Sequence, residues 1–328
     1  MADGVKEGFR TVRHALLERE DAATLYVAGR ADAPHLVFFC AGFPCDHTSF
    51  LPLASRLAAA GCLVGVSCMP EFDREQPLRP QGYDLEQMNA CFAQAVAALE
   101  AQAASRPRPP LTLVVHDWGV IPGFCYANAA GCDKLVAFDV LPGPPDRLYY
   151  KLVHTNYQSM FAIAFALSRL LPWLGRLWLN AGAFINFFLL RRFLNPVGPR
   201  TDGRLWNPCA SVGFMPWQQP DTAMSGALAM TPYRCYPYFH VLKLLFKRGA
   251  MKEVAKKISL KRSLEKQPIC FIYGEEKNTH FHSEAALQLL RSKDGCEAIG
   301  VPRAGHWCYK HEPELCYQAV KRFIMGSS

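Results

Sequence analysis

Short apolar runs alternate with longer helical patterns over the first 142 residues and again after residue 267. The two opening runs, at 9–17 and 23–28, flank a charged turn and predict an antiparallel pair of strands. The later runs contain many β-favouring residues and are each followed by a helical pattern, which predicts repeated strand–helix units and a mostly parallel sheet. These later strands are expected at 35–41, 62–67, 111–115, 135–140, 268–274 and 296–301.

The sharpest local feature is the transition from strand to helix around Asp117. The run that ends at Val115 predicts a buried strand, and the helical pattern begins at Trp118. A strand that turns at once into a helix strains its corner residue and lifts that side chain above the sheet, close to backbone N–H groups. A carboxylate there can attack an electrophilic carbon and form an ester that water then opens. The alternative left open is that Asp117 only caps the helix.

The sequence HDWG, which places Asp117 between His116 and Trp118, resembles the nucleophile elbow of the α/β-hydrolase-fold epoxide hydrolases and haloalkane dehalogenases. The resemblance implies the α/β-hydrolase fold, an α/β class with a mostly parallel eight-stranded sheet flanked by helices and a helical cap inserted after strand 6. It divides the chain into a core, residues 1–142 and 267–328, and a helical cap (lid) subdomain, residues 143–266.

The resemblance also implies a catalytic histidine near the C-terminus and an acid that orients it. The sequence GHW around His306 follows the last predicted strand and resembles the family's histidine loop. In the family, the acid stands at the end of the sixth strand or in the loop after the next core strand. Asp139 occupies the first place, and we expect it to complete the triad. The second place carries Lys277 where the family often has Asp, with Glu275 and Glu276 as the remaining alternatives.

The loop after the third strand resembles the family's oxyanion loop but departs from it at one position. The resemblance implies that backbone N–H groups of Phe43 and Trp118 hold the oxyanion, although Ala41 replaces the family's His. Val115 is a second departure, since the elbow normally has a small residue two positions before the nucleophile, and Lys277 is a third. A fold can persist after its chemistry is lost. A catalytically silent scaffold or membrane-complex subunit therefore stays an alternative.

The predicted cap offers three candidate substrate-binding residues, Tyr233, Tyr236 and Tyr238. Epoxide hydrolases that this chain resembles use cap tyrosines to hydrogen-bond and protonate the epoxide oxygen. Many haloalkane dehalogenases have Asn at the position of Phe43, and fluoroacetate dehalogenases have Arg at that of Trp118. We therefore expect a hydrolase that forms a covalent Asp ester with a lipophilic epoxide. A haloalkane or haloacid dehalogenase is the alternative, and neither chemistry requires a metal or organic cofactor.

Positive charge is concentrated in the predicted cap. The net charge is +8, whereas residues 143–268 carry 18 Lys or Arg against 5 Asp or Glu, which gives +13 and leaves −5 for the rest. Apolar residues dominate positions 157–194, in uncharged runs shorter than the roughly 20 residues of a spanning helix. This region either packs on the core over an apolar pocket or presents a basic apolar face to a membrane surface or protein partner. It has no nucleic-acid-binding motif, so no nucleic-acid partner is expected.

The number and spacing of the cysteines indicate the kind of cellular compartment in which the protein is expected. The 13 cysteines form no CxxC pairs, and no apolar signal segment opens the chain. Reduced thiols in an intracellular compartment, the cytoplasm, are therefore expected. Acidic residues among the first 21 positions argue against a mitochondrial presequence. A mitochondrial location and peripheral membrane attachment stay as alternatives.

Overall fold

One eight-stranded sheet organises the part of the chain that the computed structural model describes, residues 8–73, 79–104, 107–194 and 231–326. The strands are β1 (Arg10–Leu16), β2 (Arg19–Ala28), β3 (Leu36–Ala41), β4 (Leu63–Cys68), β5 (Leu111–His116), β6 (Lys134–Phe138), β7 (Ile269–Gly274) and β8 (Glu297–Val301). Their spatial order is β1-β2-β4-β3-β5-β6-β7-β8. The β1–β2 and β2–β4 pairs are antiparallel and the others are parallel. The predicted mostly parallel sheet of eight strands is confirmed.

The strands β3, β5 and β7 are buried along their whole length. A parallel strand covered by helices on both faces needs apolar side chains at successive positions, which explains why these strands read as continuous apolar runs. Since β5 pairs with β3 on one side and β6 on the other, the strand that leads to Asp117 lies in the middle of the sheet. The carboxyl ends of β3, β5, β6 and β7 meet along one edge, where open α/β sheets bind ligands.

The hairpin at the start of the chain differs from its prediction. The charged turn was expected at 18–21, but β2 already begins at Arg19, and β1 pairs Leu16 with that residue. The reason lies in the pairing: β4 pairs only with Tyr26–Ala28, so the charged start of β2 pairs with β1 alone. Charged side chains can therefore stay at the border of the sheet without being enclosed by the core.

Helices flank the sheet and fill the interval between β6 and β7. They are α1 (Leu51–Ala59), α2 (Leu85–Glu100), α3 (Val120–Ala129), α4 (Leu148–Leu170), α5 (Pro172–Ala183), α6 (Arg191–Leu194), α7 (Tyr236–Leu245), α8 (Ala250–Lys257), α9 (Leu260–Leu264), α10 (Glu284–Arg291), α11 (Cys308–His311) and α12 (Pro313–Met325). At the start of α2, Asp84 accepts a hydrogen bond from the Gln87 backbone N–H at 2.9 Å, while the Gln87 side chain accepts from the Asp84 N–H at 3.1 Å. This reciprocal capping satisfies backbone donors that have no partner within the helix.

We refer to α4–α9, which follow β6, as the inserted helices. They contact the core near Asp117, since the Phe161 ring lies 4.9 Å from that of Phe43 and the Tyr238 ring 4.8 Å from that of Trp118. Part of the predicted cap, residues 195–230, lies outside the described residues. Among the helices that are described, none has both the length and the apolarity needed to cross a bilayer.

Candidate active site

Asp117 sits at a strained corner between β5 and α3. Its backbone φ is +52°, in the left-handed region that residues with a Cβ rarely adopt. The strand ends one residue earlier, and a short 3-10 turn over Asp117–Gly119 leads directly into α3. The Asp117 side chain is 14% exposed. Strain of this kind is found where the surrounding structure must hold one side chain in a particular direction.

The loop after β3 packs so closely against this corner that only glycine fits at position 42. A Cβ on Gly42 would lie 2.3 Å from the Trp118 backbone nitrogen and 2.7 Å from the Asp117 Cβ. The close approach brings the Phe43 backbone N–H to 2.8 Å from Asp117 Oδ1, to which it donates a hydrogen bond. One of the two expected oxyanion donors, the Phe43 N–H, is therefore directed at Asp117 even though Ala41 replaces a histidine.

A glycine on α3 accommodates Val115. A Cβ at Gly123 would lie 2.7 Å from Val115 Cγ1, which is closer than real carbon contacts allow. The side chain at position 115 thus occupies the space that a side chain at position 123 would need. The elbow normally has a small residue at the position of Val115. In this chain the small residue is Gly123, on the helix that packs against Val115.

His306 bridges two carboxylates. Its Nδ1 lies 2.6 Å from Asp139 Oδ2 and its Nε2 lies 3.3 Å from Asp117 Oδ2. The structure therefore brings together the three residues that the sequence assigned to a triad. The imidazole is further fixed by its neighbourhood, since the Trp307 ring lies 4.8 Å away and the Phe281 ring 5.1 Å away.

The second oxygen of Asp139 is held by a buried cation. Asp139 Oδ1 accepts a hydrogen bond from the Gly274 backbone N–H at 3.0 Å and forms an ion pair with the Lys277 ammonium. The side chains of Asp139 and Lys277 are completely buried. Glu275, one alternative for the acid, is exposed. Lys277, which stands where the family often has an acidic residue, thus forms an ion pair with Asp139.

These contacts set the charge state of the Asp139–His306 pair. Burial alone would raise the pKa of Asp139, but the Lys277 and His306 charges outweigh burial and hold it at about 2. Burial alone would lower the pKa of His306, because it disfavours the charged imidazolium. Hydrogen bonds with Asp117 and Asp139 outweigh burial, so the pKa of His306 is raised above its ordinary value. Asp139 is therefore an anion at neutral pH, suited to accept the Nδ1 proton of His306 in a hydrogen bond.

A cavity of about 500 Å³ opens above Asp117. The elbow, α3 and the inserted helices form its mostly apolar wall. The wall includes Trp118, Ile121, Tyr157, Leu244, Val254 and Phe281. A mostly apolar cavity above a carboxylate can hold a small apolar molecule.

Two buried phenols face the carboxylate from the inserted helices. Tyr157 lines the cavity, and its ring lies 6.2 Å from that of Tyr238. Burial raises the pKa of both phenols, and the negative charge of Asp117 adds to the rise. The Tyr238 ring packs edge-on against the Trp118 indole, with the ring centroids 4.8 Å apart. Both phenols therefore keep their protons at neutral pH and can donate them in hydrogen bonds.

Only one of the three tyrosines expected to bind substrate lies beside Asp117. Tyr238 does so, but the Tyr236 hydroxyl donates to the Pro70 carbonyl at 3.1 Å, and its ring packs on that of Phe72. Two residues along a helix correspond to a rotation of about 200°, so Tyr236 and Tyr238 face opposite ways. None of the three lines the cavity, and Tyr238 is placed beside Asp117 by its ring contacts with Phe43 and Trp118. Tyr157 was missed, because nothing in its apolar helical stretch distinguishes it from packing residues.

Comparisons with known proteins agree with this architecture. Among solved structures, a loop variant of the haloalkane dehalogenase DbeA from Bradyrhizobium elkanii aligns with a TM-score of 0.60 at 16% identity, covering 97% of each chain. A candidate epoxide hydrolase from Klebsiella pneumoniae aligns with a TM-score of 0.60 at 15% identity, covering 98% of each chain. A thermophilic esterase from Thermogutta terrifontis aligns with a TM-score of 0.58 at 15% identity, covering 96% of this chain and 97% of the esterase. At such identities the likeness shows the fold.

The family of the chain follows from its sequence. No curated protein sequence matches it. A family model described as the alpha/beta hydrolase family matches residues 37–319. This match spans far more than half of the chain, and the protein therefore belongs to the alpha/beta hydrolase family.

Proposed function

We propose that the protein hydrolyses a lipophilic epoxide through a covalent ester on Asp117. One observation carries the proposal: His306 touches both Asp117 and Asp139 beside an apolar cavity that the Tyr157 phenol lines, and the Tyr238 phenol packs against Phe43 and Trp118 next to it. This arrangement supplies a nucleophile, an oriented base and proton donors around one space.

The first step forms the ester. Asp117 Oδ2 attacks a ring carbon of the epoxide, and the bond between that carbon and the epoxide oxygen breaks. Tyr157 and Tyr238 donate hydrogen bonds to the leaving oxygen, and one of them transfers its proton to it. The Phe43 N–H holds Asp117 Oδ1 at 2.8 Å and leaves Oδ2 as the attacking atom.

The second step opens the ester with water. His306 Nε2 takes a proton from a water molecule, and the resulting hydroxide attacks Asp117 Cγ. Negative charge develops on Oδ1, to which the Phe43 N–H already donates a hydrogen bond. The Trp118 backbone nitrogen and Oδ1 both lie close to Gly42, so the Trp118 N–H is the second donor in this scheme. The Cγ–Oδ2 bond then breaks, the departing Oδ2 takes the proton that remained on the attacking hydroxide, and the diol leaves with the original Oδ2 while Asp117 returns to a carboxylate. His306 returns its proton to the phenolate formed in the first step.

Asp139 and Lys277 act through His306. Asp139 fixes the tautomer of the imidazole by accepting the Nδ1 proton at 2.6 Å, so that Nε2 is free to receive a proton from water. Lys277 holds the opposite oxygen of Asp139, which keeps the carboxylate both ionised and in place. Neither residue touches the substrate in this scheme.

The contacts of Phe43 favour an epoxide over a haloalkane. A halide leaving group needs donors directed at one point, but the Phe43 side chain offers none and packs against Phe161 and Tyr238. The phenols, in contrast, donate protons of the kind that a developing alkoxide requires. The assembled contacts and the open cavity weigh against a catalytically silent scaffold.

Mass spectrometry of the peptide that contains Asp117 tests the proposal. After a single turnover of a lipophilic epoxide in heavy-oxygen water, Asp117 should carry one heavy oxygen, because the diol removes the original Oδ2. The Asp117→Asn variant provides the control. Label from a haloalkane but from no epoxide would support dehalogenation instead. A folded sample that is labelled with neither class would contradict the proposal and favour the scaffold.

A further inference from the structure

Two short segments at the mouth of the cavity expose both apolar and cationic side chains. One is the beginning of α4 with the residue before it, 147–152, and the other runs from the end of α7 into α8, 243–252. Lys151 of the first segment and Met251 of the second line the cavity and are also exposed. The mouth therefore lies between the two segments, which we call the cavity rim.

Five large apolar side chains of the rim face outward. Their exposed fractions are 71% for Leu148, 61% for Leu152, 63% for Leu245, 85% for Phe246 and 40% for Met251. Single exposed apolar residues are ordinary on any protein surface. Here they lie on two short segments that each contribute an exposed residue to the wall of one cavity, and grouped exposure of this kind marks an interaction surface.

The rim is also strongly cationic. Its two segments carry six basic residues and no carboxylate. The acidic residues that flank the segments are Asp146, which accepts a hydrogen bond from the Glu284 N–H, and Glu253, which pairs with Lys256. The basic residues are Arg147, Lys151, Lys243, Lys247, Arg248 and Lys252. All six are exposed, and within the described residues none of them forms an ion pair. Unpaired cations beside exposed apolar side chains suit the interface of an anionic bilayer, where phosphates attract the former and acyl chains cover the latter.

We propose that the cavity rim docks on an anionic lipid bilayer and that the substrate enters the cavity from the acyl region. A nucleic acid would engage the cations but leave Leu148 and Phe246 in water. A bilayer satisfies both features, and docking at the mouth makes the apolar cavity continuous with the membrane interior. The route of substrate entry rests on the proposed function, whereas docking itself does not.

Vesicle co-sedimentation of the full chain tests docking. Vesicles of phosphatidylcholine, with and without phosphatidylserine, are compared at low and at physiological salt. We expect binding to the anionic vesicles that weakens with salt, because screening reduces the attraction between exposed charges. The double variant Phe246→Ser with Lys247→Glu should bind about tenfold more weakly or worse, since it removes a deeply inserting ring and reverses a charge.

A control double variant outside the rim shows whether the loss of binding is specific to the rim. Leu315→Ser with Lys293→Glu changes an exposed apolar residue and a cation outside the rim, and it should bind as the wild type does. Absence of vesicle binding, equal binding to neutral vesicles, or equal loss in both double variants would overturn the proposal. So would a dimer in solution that Phe246→Ser abolishes, because a second copy would then be the occupant of the rim.

One further variant separates the two proposals. Asp117→Asn should bind vesicles as the wild type does. Vesicle binding without any label on Asp117 in the turnover experiment would disprove the proposed function and leave docking intact. Label on Asp117 without vesicle binding would disprove docking alone.

Discussion

Replacing Lys277 with methionine removes a buried cation while keeping nearly the same side-chain volume. The Lys277 ammonium pairs with Asp139 Oδ1, and His306 Nδ1 lies 2.6 Å from Oδ2 of the same carboxylate. The substitution therefore leaves Asp139 with one charged neighbour instead of two. We expect two effects, a loss of stability and a shift in the protonation of His306.

The stability effect follows from the burial of the pair. Removing one partner of a buried ion pair typically costs about 3–5 kcal/mol, because the other charge stays buried without compensation. Asp139 would still accept hydrogen bonds from the Gly274 N–H at 3.0 Å and from His306. We therefore expect the lower end of this range, about 3 kcal/mol, in the free energy of unfolding.

The electrostatic effect follows from the distance between two charges. Lys277 and a protonated His306 bind opposite oxygens of one carboxylate, so their charges lie about 6 Å apart, and Coulomb's law with an effective dielectric constant of about 20 gives about 3 kcal/mol of repulsion. Removing Lys277 removes this repulsion and raises the pKa of His306, by about two pH units for such an energy. His306 must be neutral to take a proton from water. As the pH is lowered, the rate of ester hydrolysis should therefore begin to fall at a higher pH in the variant than in the wild type.

Two measurements test this reasoning, and neither needs an identified substrate. Urea unfolding gives the stability, and an NMR titration of the imidazole, assigned with His306→Gln, gives the protonation midpoint. Lys134→Met is the matched control, since the Lys134 ammonium donates to the Phe323 and Ile324 carbonyls and not to a carboxylate. A midpoint that is unchanged in a folded Lys277→Met variant would refute the electrostatic role of Lys277 and reduce it to packing.

Three further predictions concern the cavity, the elbow and acid stability. Tyr238→Phe should slow ester formation about 100-fold and Tyr157→Phe should slow it as well, because each removes a proton donor. If stopped-flow single-turnover rates stay unchanged in the double variant, the two tyrosines are not the proton donors. Gly123→Ala should destabilise the fold by about 2 kcal/mol in urea, since its Cβ would lie 2.7 Å from Val115 Cγ1, and Val115→Ala should relieve that loss if the contact causes it. The pKa of Asp139 is lowered from 3.8 to about 2, so the stability it contributes, about 2 kcal/mol, is present above about pH 4 and lost as the pH falls towards 2. Acid unfolding of Asp139→Asn should lack that loss.

The parts of the fold that could be predicted are those with a local signal. The run ending at Val115 predicted the central strand, which spans Leu111–His116, and the corner at Asp117 is marked by an abrupt change from strand to helical pattern. Asp139 also lies at the end of a predicted strand, and His306 lies in the loop that follows the last predicted strand. The carboxyl ends of parallel strands meet at one edge of the sheet, so topology brings these residues together once the strand order is known.

The parts that could not be predicted depend on contacts between distant segments. Lys277 lies 138 positions from Asp139, and no pattern in either loop reports that one neutralises the other. Tyr157 shares an apolar helix with residues such as Phe161 that serve only to pack. The difference between a packing ring and a proton donor lies in where α4 sits over Asp117. Tyr236, whose hydroxyl donates to the Pro70 carbonyl, could not be told apart from Tyr238 in the sequence for the same reason.

The departures from the family pattern carry a different meaning once they are considered together with their contacts. Val115 alone suggests a damaged elbow, but Gly123 provides the space that Val115 fills. Lys277 alone suggests a lost acid, but it pairs with the acid at Asp139. Any stable fold must pair a buried charge and make room for a buried side chain, so these two contacts remove two arguments against a working site without arguing for one. The contact that favours catalysis over a fold that has only kept its shape is that of His306, held between both carboxylates.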